Sequence, residues 1–134
     1  PGPYKFRRKT KEPTDTLPGD GFGNPTRPCG LVHAAFRPSD DACVFPYLVP
    51  ANFFVVTSMG QLAEIATALG AKPLAAKARA LGEEVRVALE KEATAEHPRA
   101  GRIYAYEVDG FGNHLFMDDA NVPSLLAMPY LGAC

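Results

Sequence analysis

Prolines and glycines divide this chain into stretches that can be helical and stretches that cannot. Pro1, Pro3, Pro13, Pro18, Pro25 and Pro28 precede residue 31, with Gly2, Gly19, Gly21, Gly23 and Gly30 among them. Proline lacks the N–H that a helix ladder needs and glycine loses the most freedom on entering one, so 1–30 reads as a long loop. Long ordered loops in compact domains tend to carry function. The breakers then thin out. Pro50-Ala51-Asn52 begins a helix that runs to about Leu69 and stops at Gly70, and a second helix begins near Pro73.

The periodicity of each helix predicts a face. In the first, Phe53, Val56, Met59 or Gly60, Ile65 and Leu69 keep a rough helical spacing, while Gln61 and Glu64 fall elsewhere. In the second, Leu74, Ala78, Leu81, Val85 and Leu89 form one stripe, with Lys77, Glu84, Arg86 and Lys91 on other faces. Gly70-Ala71-Lys72 is a short connector, so the pair predicts an antiparallel helical hairpin packed along those stripes.

Past the loop at His97-Pro98-Arg99, residues Ile103-Tyr104-Ala105-Tyr106-Glu107-Val108 read as a strand rich in aromatic and branched side chains. Asp109-Gly110-Phe111-Gly112-Asn113 is its turn and His114-Leu115-Phe116-Met117 the returning partner. Asn121 then suits the cap of a further helix with Pro123 in its first turn. The expected class is mainly α, with long loops and one small β-hairpin.

Charge and cysteine usage narrow the functions. A formal net charge of −1 offers no electrostatic case for nucleic acid or an anionic membrane. The basic run Lys5, Arg7, Arg8, Lys9 and Lys11 is followed directly by Glu12 and Asp15, as on a solvated face. No apolar run approaches the roughly 20 residues of a membrane span. Cys29, Cys43 and Cys134 are too few and too scattered for a disulfide framework, and with His33 they lack the paired spacing of a zinc site. Gly19-Asp20-Gly21-Phe22-Gly23 lacks the strand, the third glycine and the Lys-Ser/Thr that phosphate loops need. No cofactor is expected. The chain opens on Pro-Gly-Pro and closes on apolar residues, which reads as a piece truncated at both ends.

The chemistry concentrates in Phe36-Arg37-Pro38-Ser39-Asp40-Asp41-Ala42, a proline-stiffened segment followed at once by the apolar run Cys43 to Val49. Polar groups held against apolar surface must be paired, or their protonation must shift. Further acidic side chains gather at Glu107 with Asp109 and at Asp118-Asp119, near Asn121. Three uses stay open on the residues alone. They are calcium ligation, though without the regular spacing of a calcium loop, helix capping, and general acid/base catalysis on a sugar by one protonated and one ionised carboxyl.

Several long phrases narrow this choice. Phe36 to Cys43, Tyr104 to Asn113, Met117 to Leu126, Pro129-Tyr130-Leu131-Gly132 and Pro3-Tyr4-Lys5-Phe6-Arg7 together resemble glycoside hydrolase family 125, in order and over nearly the whole chain. The resemblance implies an exo-α-1,6-mannosidase with an (α/α)6 barrel, acting with inversion and without a catalytic metal. Its ligand would be a mannose-containing oligosaccharide or N-glycan. Residues 1–134 would be a middle segment of that barrel. The family's general acid falls in Ser39-Asp40-Asp41, with Asp40 narrowly preferred over Asp41, and its general base is a glutamate expected beyond Cys134. Arg37, Glu107, Asp109, Asp118, Asp119 and Asn121 are the expected sugar contacts, with Tyr104, Tyr106 or Phe111 against a sugar face. Arg37 is equally suited to pairing with Asp40 or Asp41. The alternative is a non-catalytic carbohydrate-binding or interaction segment.

Overall fold

The computed structural model describes residues 5–133, so Pro3-Tyr4 of the early phrase and the Cys134 thiol lie outside the described residues. The chain contains a single turn α1 (Pro18–Gly21), strand β1 (Tyr47–Leu48), helices α2 (Val49–Ala68) and α3 (Lys72–Glu92), and strands β2 (Thr94–His97), β3 (Gly101–Tyr104), β4 (Glu107–Val108) and β5 (His114–Leu115). Helices α2 and α3 dominate, as an antiparallel hairpin accompanied by short antiparallel strands. Pro50 and Pro73 each sit in a first turn, where the missing N–H has no intrahelical partner to lose. Helix α2 ends where Gly70 takes φ 71° and Ala71 donates its N–H back to the Ala66 carbonyl at 2.8 Å.

The helices pack on small residues together with part of the predicted stripes, since Phe53 and Val56 of the α2 stripe lie against the core. Ala63 and Ala66 of α2, and Ala75, Ala78, Gly82 and Val85 of α3, are buried. Gly82 marks the closest approach, since a Cβ there would sit 3.2 Å from the Cβ of Met59. Small side chains let two backbones come together, and the larger ones then fall outside the seam. Ile65 and Leu69 are accordingly 59% and 78% exposed, and Leu74 and Leu81 are also exposed. Of the predicted α3 stripe, Ala78, Val85 and Leu89 are inside. The main core lies at the other end of the hairpin, where Val85, Ala88, Leu89 and Ala93 meet Leu31, Tyr47, Val49, Ala105 and Val108.

The strand expected over 103–108 is two strands. Residues 103 and 104 belong to β3, which pairs with β2, whereas Glu107 and Val108 form β4, the middle of the sheet β1-β4-β5. The change of partner occurs at Ala105 and Tyr106. Ala105 donates to the Ala93 carbonyl, and Tyr106 donates to Leu115 while accepting from Val49, each at 2.8 Å. The turn Asp109 to Asn113 and its return are present as the β4–β5 hairpin, but β2 was not anticipated beside the 97–99 turn. The helix expected after Asn121 is replaced by successive turns over 120–132, with a cis Val122–Pro123 bond. Ser124 rather than Asn121 caps the turns over 125–132, its Oγ accepting the Ala127 N–H at 3.2 Å.

The N-terminal loop carries three exposed ion pairs. Asp20 pairs with Arg7 and with Lys9, both at 2.6 Å, and Arg8 pairs with Asp15. The Arg8 backbone also donates to Gly21 and accepts from Leu17, closing residues 8–21 around buried Leu17. Among the described residues no helix is long and apolar enough to cross a membrane.

Candidate functional site

Residues 35–43 turn back on themselves. Phe36 and Ala42 form a bridge, Cys43 donates its N–H to Ala35 at 3.0 Å, Arg37 to Asp41 at 2.8 Å, and Asp40 to Arg37 at 3.0 Å. Asp40 closes the turn with φ 67°, a left-handed conformation that Asp and Asn tolerate better than other residues with a Cβ. The turn leaves the Asp40 side chain exposed and Asp41 half-buried. The two acids line different clefts. Asp40 shares a concavity of about 460 Å³ with Phe6, Arg8, Asp15 and Phe36, while Asp41 and Arg37 line one of about 450 Å³ beside Thr14, Thr16 and Asn24.

Arg37 pairs with neither of them. Its Nε donates to Glu107 Oε1 at 2.6 Å, across seventy positions of sequence. The other carboxylate oxygen of Glu107 accepts the backbone N–H groups of Val44 and Phe45, both at 2.9 Å. Glu107, on the central strand of the sheet, is 0% exposed and the Arg37 side chain 12%. The guanidinium also lies over the Tyr106 ring, 5.9 Å from its centroid. Burial pulls the Arg37 pKa down, but the hydrogen bond and charge of Glu107 outweigh it and hold the cation more firmly than usual. With two backbone donors and one guanidinium, this buried carboxylate has the partners that burial requires. Both oxygens of Glu107 are thereby engaged within the fold.

The other expected sugar contacts mostly organise their own loops. Asp109 is buried, and Oδ1 accepts the N–H groups of Phe111 and Asn113 at 2.8 and 3.1 Å, while Oδ2 accepts Asn113 Nδ2 at 2.6 Å. Burial raises its pKa, but these donors reverse the sign and leave it below the usual value. Asp118 accepts the N–H groups of Leu125 and Leu126 at 2.8 and 3.0 Å. Asp119 accepts the backbone and side-chain N–H of Asn121 at 2.9 and 3.2 Å, so Asn121 is a donor here and not a cap.

Arg37, Ser39, Tyr106, Glu107, Asp118 and Asp119 share one neighbourhood. The proximity of Ser39, then the Asn121 N–H, lowers the Asp119 pKa, yet the buried Ser39 hydroxyl stays outside good hydrogen-bond geometry. Tyr106, expected as a possible sugar platform, is fully buried beneath Arg37, and its hydroxyl also has no partner among the described residues. Burial first, then the negative charge of Asp119, raises the Tyr106 pKa and keeps that phenol neutral. Tyr104 and Phe111 remain exposed, Tyr104 set edge-on to Phe53 at 5.2 Å. Cys29 and Cys43 are free thiols, and among the described residues no three His, Cys, Asp or Glu side chains converge as a metal-binding group.

Sequence reasoning missed Asn52, which is 1% exposed. Its Oδ1 accepts the Val32 N–H at 2.7 Å and its Nδ2 donates to the carbonyls of Val32 and Leu48 at 3.0 and 2.9 Å. This bond set fixes the backbone at Val32 against the start of α2. An asparagine among the apolar residues at a helix start was the available signal.

Three comparisons bear on this site. The family model described as metal-independent α-mannosidase (GH125) matches residues 1–134. The meiotically up-regulated gene 157 protein of Schizosaccharomyces pombe is 45% identical over 130 residues, covering 96% of this chain and 26% of that protein. A Streptococcus pneumoniae structure, from a family of metal-independent α-mannosidases, is a non-productive substrate complex with α-1,6-mannobiose. It superposes with a TM-score of 0.92 at 45% identity, over 99% of this chain and 32% of its own. The chain therefore spans about a quarter to a third of the length of these relatives.

Proposed function

The chain belongs to the metal-independent α-mannosidases of glycoside hydrolase family 125, and on that premise we propose that it forms a segment of an inverting exo-α-1,6-mannosidase. Its helical hairpin would be one part of an (α/α)6 barrel, and its loops 36–45, 109–113 and 118–126 would face a terminal α-1,6-linked mannose of an oligosaccharide or N-glycan.

One observation carries the assignment of the acid. The turn that contains two adjacent aspartates is braced by Arg37, yet Arg37 is held by Glu107, so neither Asp40 nor Asp41 is neutralised by it. Asp40, exposed at the tip of the turn, is the preferred general acid, with Asp41 the second choice. A general acid works by proton transfer within hydrogen-bond reach of the leaving oxygen. It gives its proton to the glycosidic oxygen as the C1–O bond breaks through an oxocarbenium-like state. A glutamate outside this chain takes a proton from water, whose oxygen bonds to C1 from the opposite face. Inversion calls for about 6.5–9.5 Å between the two carboxyls to admit that water. Arg37, Asp118 and Asp119 with Asn121 are the groups assigned to sugar hydroxyls, and Asp109 and Glu107 hold the loops that present them.

The test is Asp40→Asn and Asp41→Asn in the whole parent enzyme, assayed on α-1,6-mannobiose. At least one variant is expected to lose about 10²–10⁴-fold in turnover, the usual contribution of a general acid. Parental turnover in both would overturn the placement. NMR of the first-formed sugar is expected to show β-mannose, and α-mannose would rule out inversion.

A further inference from the structure

We propose that Glu107 is a positioning residue for the general acid, acting through Arg37 and through the backbone of Val44 and Phe45. The inference rests on the reading that the acid lies in the 39–41 turn, and it adds a residue that does not itself face the sugar.

The geometry is a two-sided clasp. The acid turn has two stems, one entering through Phe36-Arg37 and one leaving through Ala42 to Phe45. Glu107 holds both with one side chain, taking the Arg37 guanidinium on Oε1 and the Val44 and Phe45 N–H groups on Oε2. The carboxylate is itself fully buried. It projects from the middle strand of a three-stranded sheet, its backbone paired opposite Leu48 on one side and Leu115 on the other. Arg37 cannot swing away readily either, because it is sandwiched onto the Tyr106 ring and is largely out of water. The turn is also closed internally by the Arg37–Asp41 and Asp40–Arg37 backbone bonds, so movement of Arg37 is movement of the aspartates. The position of Asp40 is thereby referred to β4 as well as to its own turn.

Proton donation to a leaving oxygen depends on tenths of an ångström, and a loosened acid fails selectively. A glycoside whose leaving group is a poor one, such as an alkyl alcohol of a second mannose, needs the proton. A glycoside with a strongly acidic phenol as leaving group departs without it. A fault in acid placement therefore lowers turnover of the first substrate far more than of the second, whereas a general loss of folding or of sugar binding lowers both alike.

The experiment uses the whole parent enzyme with Glu107→Gln, which keeps the shape but removes the charge. It measures kcat on α-1,6-mannobiose and on 2,4-dinitrophenyl α-mannoside, with thermal melts to establish folding. Arg37→Lys is made in parallel, keeping the cation while removing the Nε donor. The expected result is a loss at least about tenfold greater on mannobiose than on the activated mannoside in the folded variants. Equal losses on both substrates, parental rates on both, or failure of both variants to fold would overturn a positioning role. Asp40→Asn and Asp41→Asn provide the reference. If neither shows the leaving-group bias, the placement of the acid in this turn falls. If one shows it and folded Glu107→Gln does not, the clasp alone falls.

Discussion

Gly110 lies flat against the backbone carbonyl of Arg27, and a Cβ at position 110 would overlap that oxygen. The neighbouring Asp109 carbonyl accepts the Arg27 N–H at 2.9 Å, and Tyr47 Oη donates to the Arg27 carbonyl at 3.3 Å. The N-terminal loop is thus docked onto the β4–β5 turn at a point with no room for a side chain.

Gly110→Ala is expected to destabilise the protein by about 2–5 kcal/mol, combining a positive φ with a backbone collision. Gly70, at φ 71° but with nothing within 4 Å of a built Cβ, is the control. Gly70→Ala should lose only about 1–2 kcal/mol, the conformational part alone. Denaturation midpoints of the two variants measured together distinguish the contributions, and equal shifts would show that the Arg27 contact is not rigid.

Asn52→Ala removes one acceptor and two donors from part-buried backbone groups of Val32 and a buried carbonyl of Leu48. Leaving such groups unpaired costs about 1–3 kcal/mol each, so a loss of about 2–4 kcal/mol is expected after partial relaxation. Asn52→Asp should be worse at neutral pH, because it turns an oxygen toward the carbonyls that the amide had served. A thermal shift smaller for Asp than for Ala would contradict this network.

Asp109 makes stability depend on acid. Its folded pKa lies below the ordinary aspartate value of 3.8, because its amide donors outweigh the burial that would raise it. The stabilisation is therefore fully present above about 3.8 and disappears as pH falls through the lower folded value. Asp109→Asn should flatten the acid limb of the stability curve in that window. It should also lower stability at pH 7, since the new NH₂ group would oppose Asn113 Nδ2. An unchanged acid limb in urea melts from pH 6 to pH 2.5 would argue against it.

The two described thiols should differ in reactivity. Burial, followed by the negative charge of Glu107, pushes the Cys43 pKa up to about 12, and its side chain is sealed. Cys29 is half-exposed, and burial raises its pKa as well. Alkylation at pH 8 followed by peptide mapping should label Cys29 first and Cys43 only on unfolding, since the thiolate is the reacting form. Labelling of native Cys43 at the same rate would mean that the 36–45 loop opens.

Local punctuation was readable and partner choice was not. Pro50, Gly70 and Pro73 mark the two helices to within about two residues, the usual slack in helix ends. The predicted faces held in part, and Ile65, Leu69, Leu74 and Leu81 fell outside because periodicity weights large apolar side chains. Here Ala63, Ala66, Ala75, Ala78 and Gly82 make the seam, and a close helix crossing selects residues for being small. The strand at 103–108 has uniform β character, yet Ala105 and Tyr106 change partners because Ala93 and Val49 present backbone groups from distant chain. Glu107 was legible as an acid near sugar-like motifs, but its burial depends on Arg37, Val44 and Phe45 arriving from across the fold. No local pattern encodes that meeting. For Asp40 and Asp41 the family phrase supplied what spacing alone had left open.

The chain leaves the sheet at Val49 and returns to it at Tyr106, whose carbonyl accepts the Val49 N–H at 2.8 Å. Everything between is therefore an excursion that starts and finishes at one hydrogen bond. Its contacts are local and quick to form, whereas the β1–β4 pairing must wait for the ends to meet. The order of assembly follows from this. Loop-closure entropy therefore favours a helical hairpin that forms before the β1–β4 pairing brings Glu107 to the 36–45 loop.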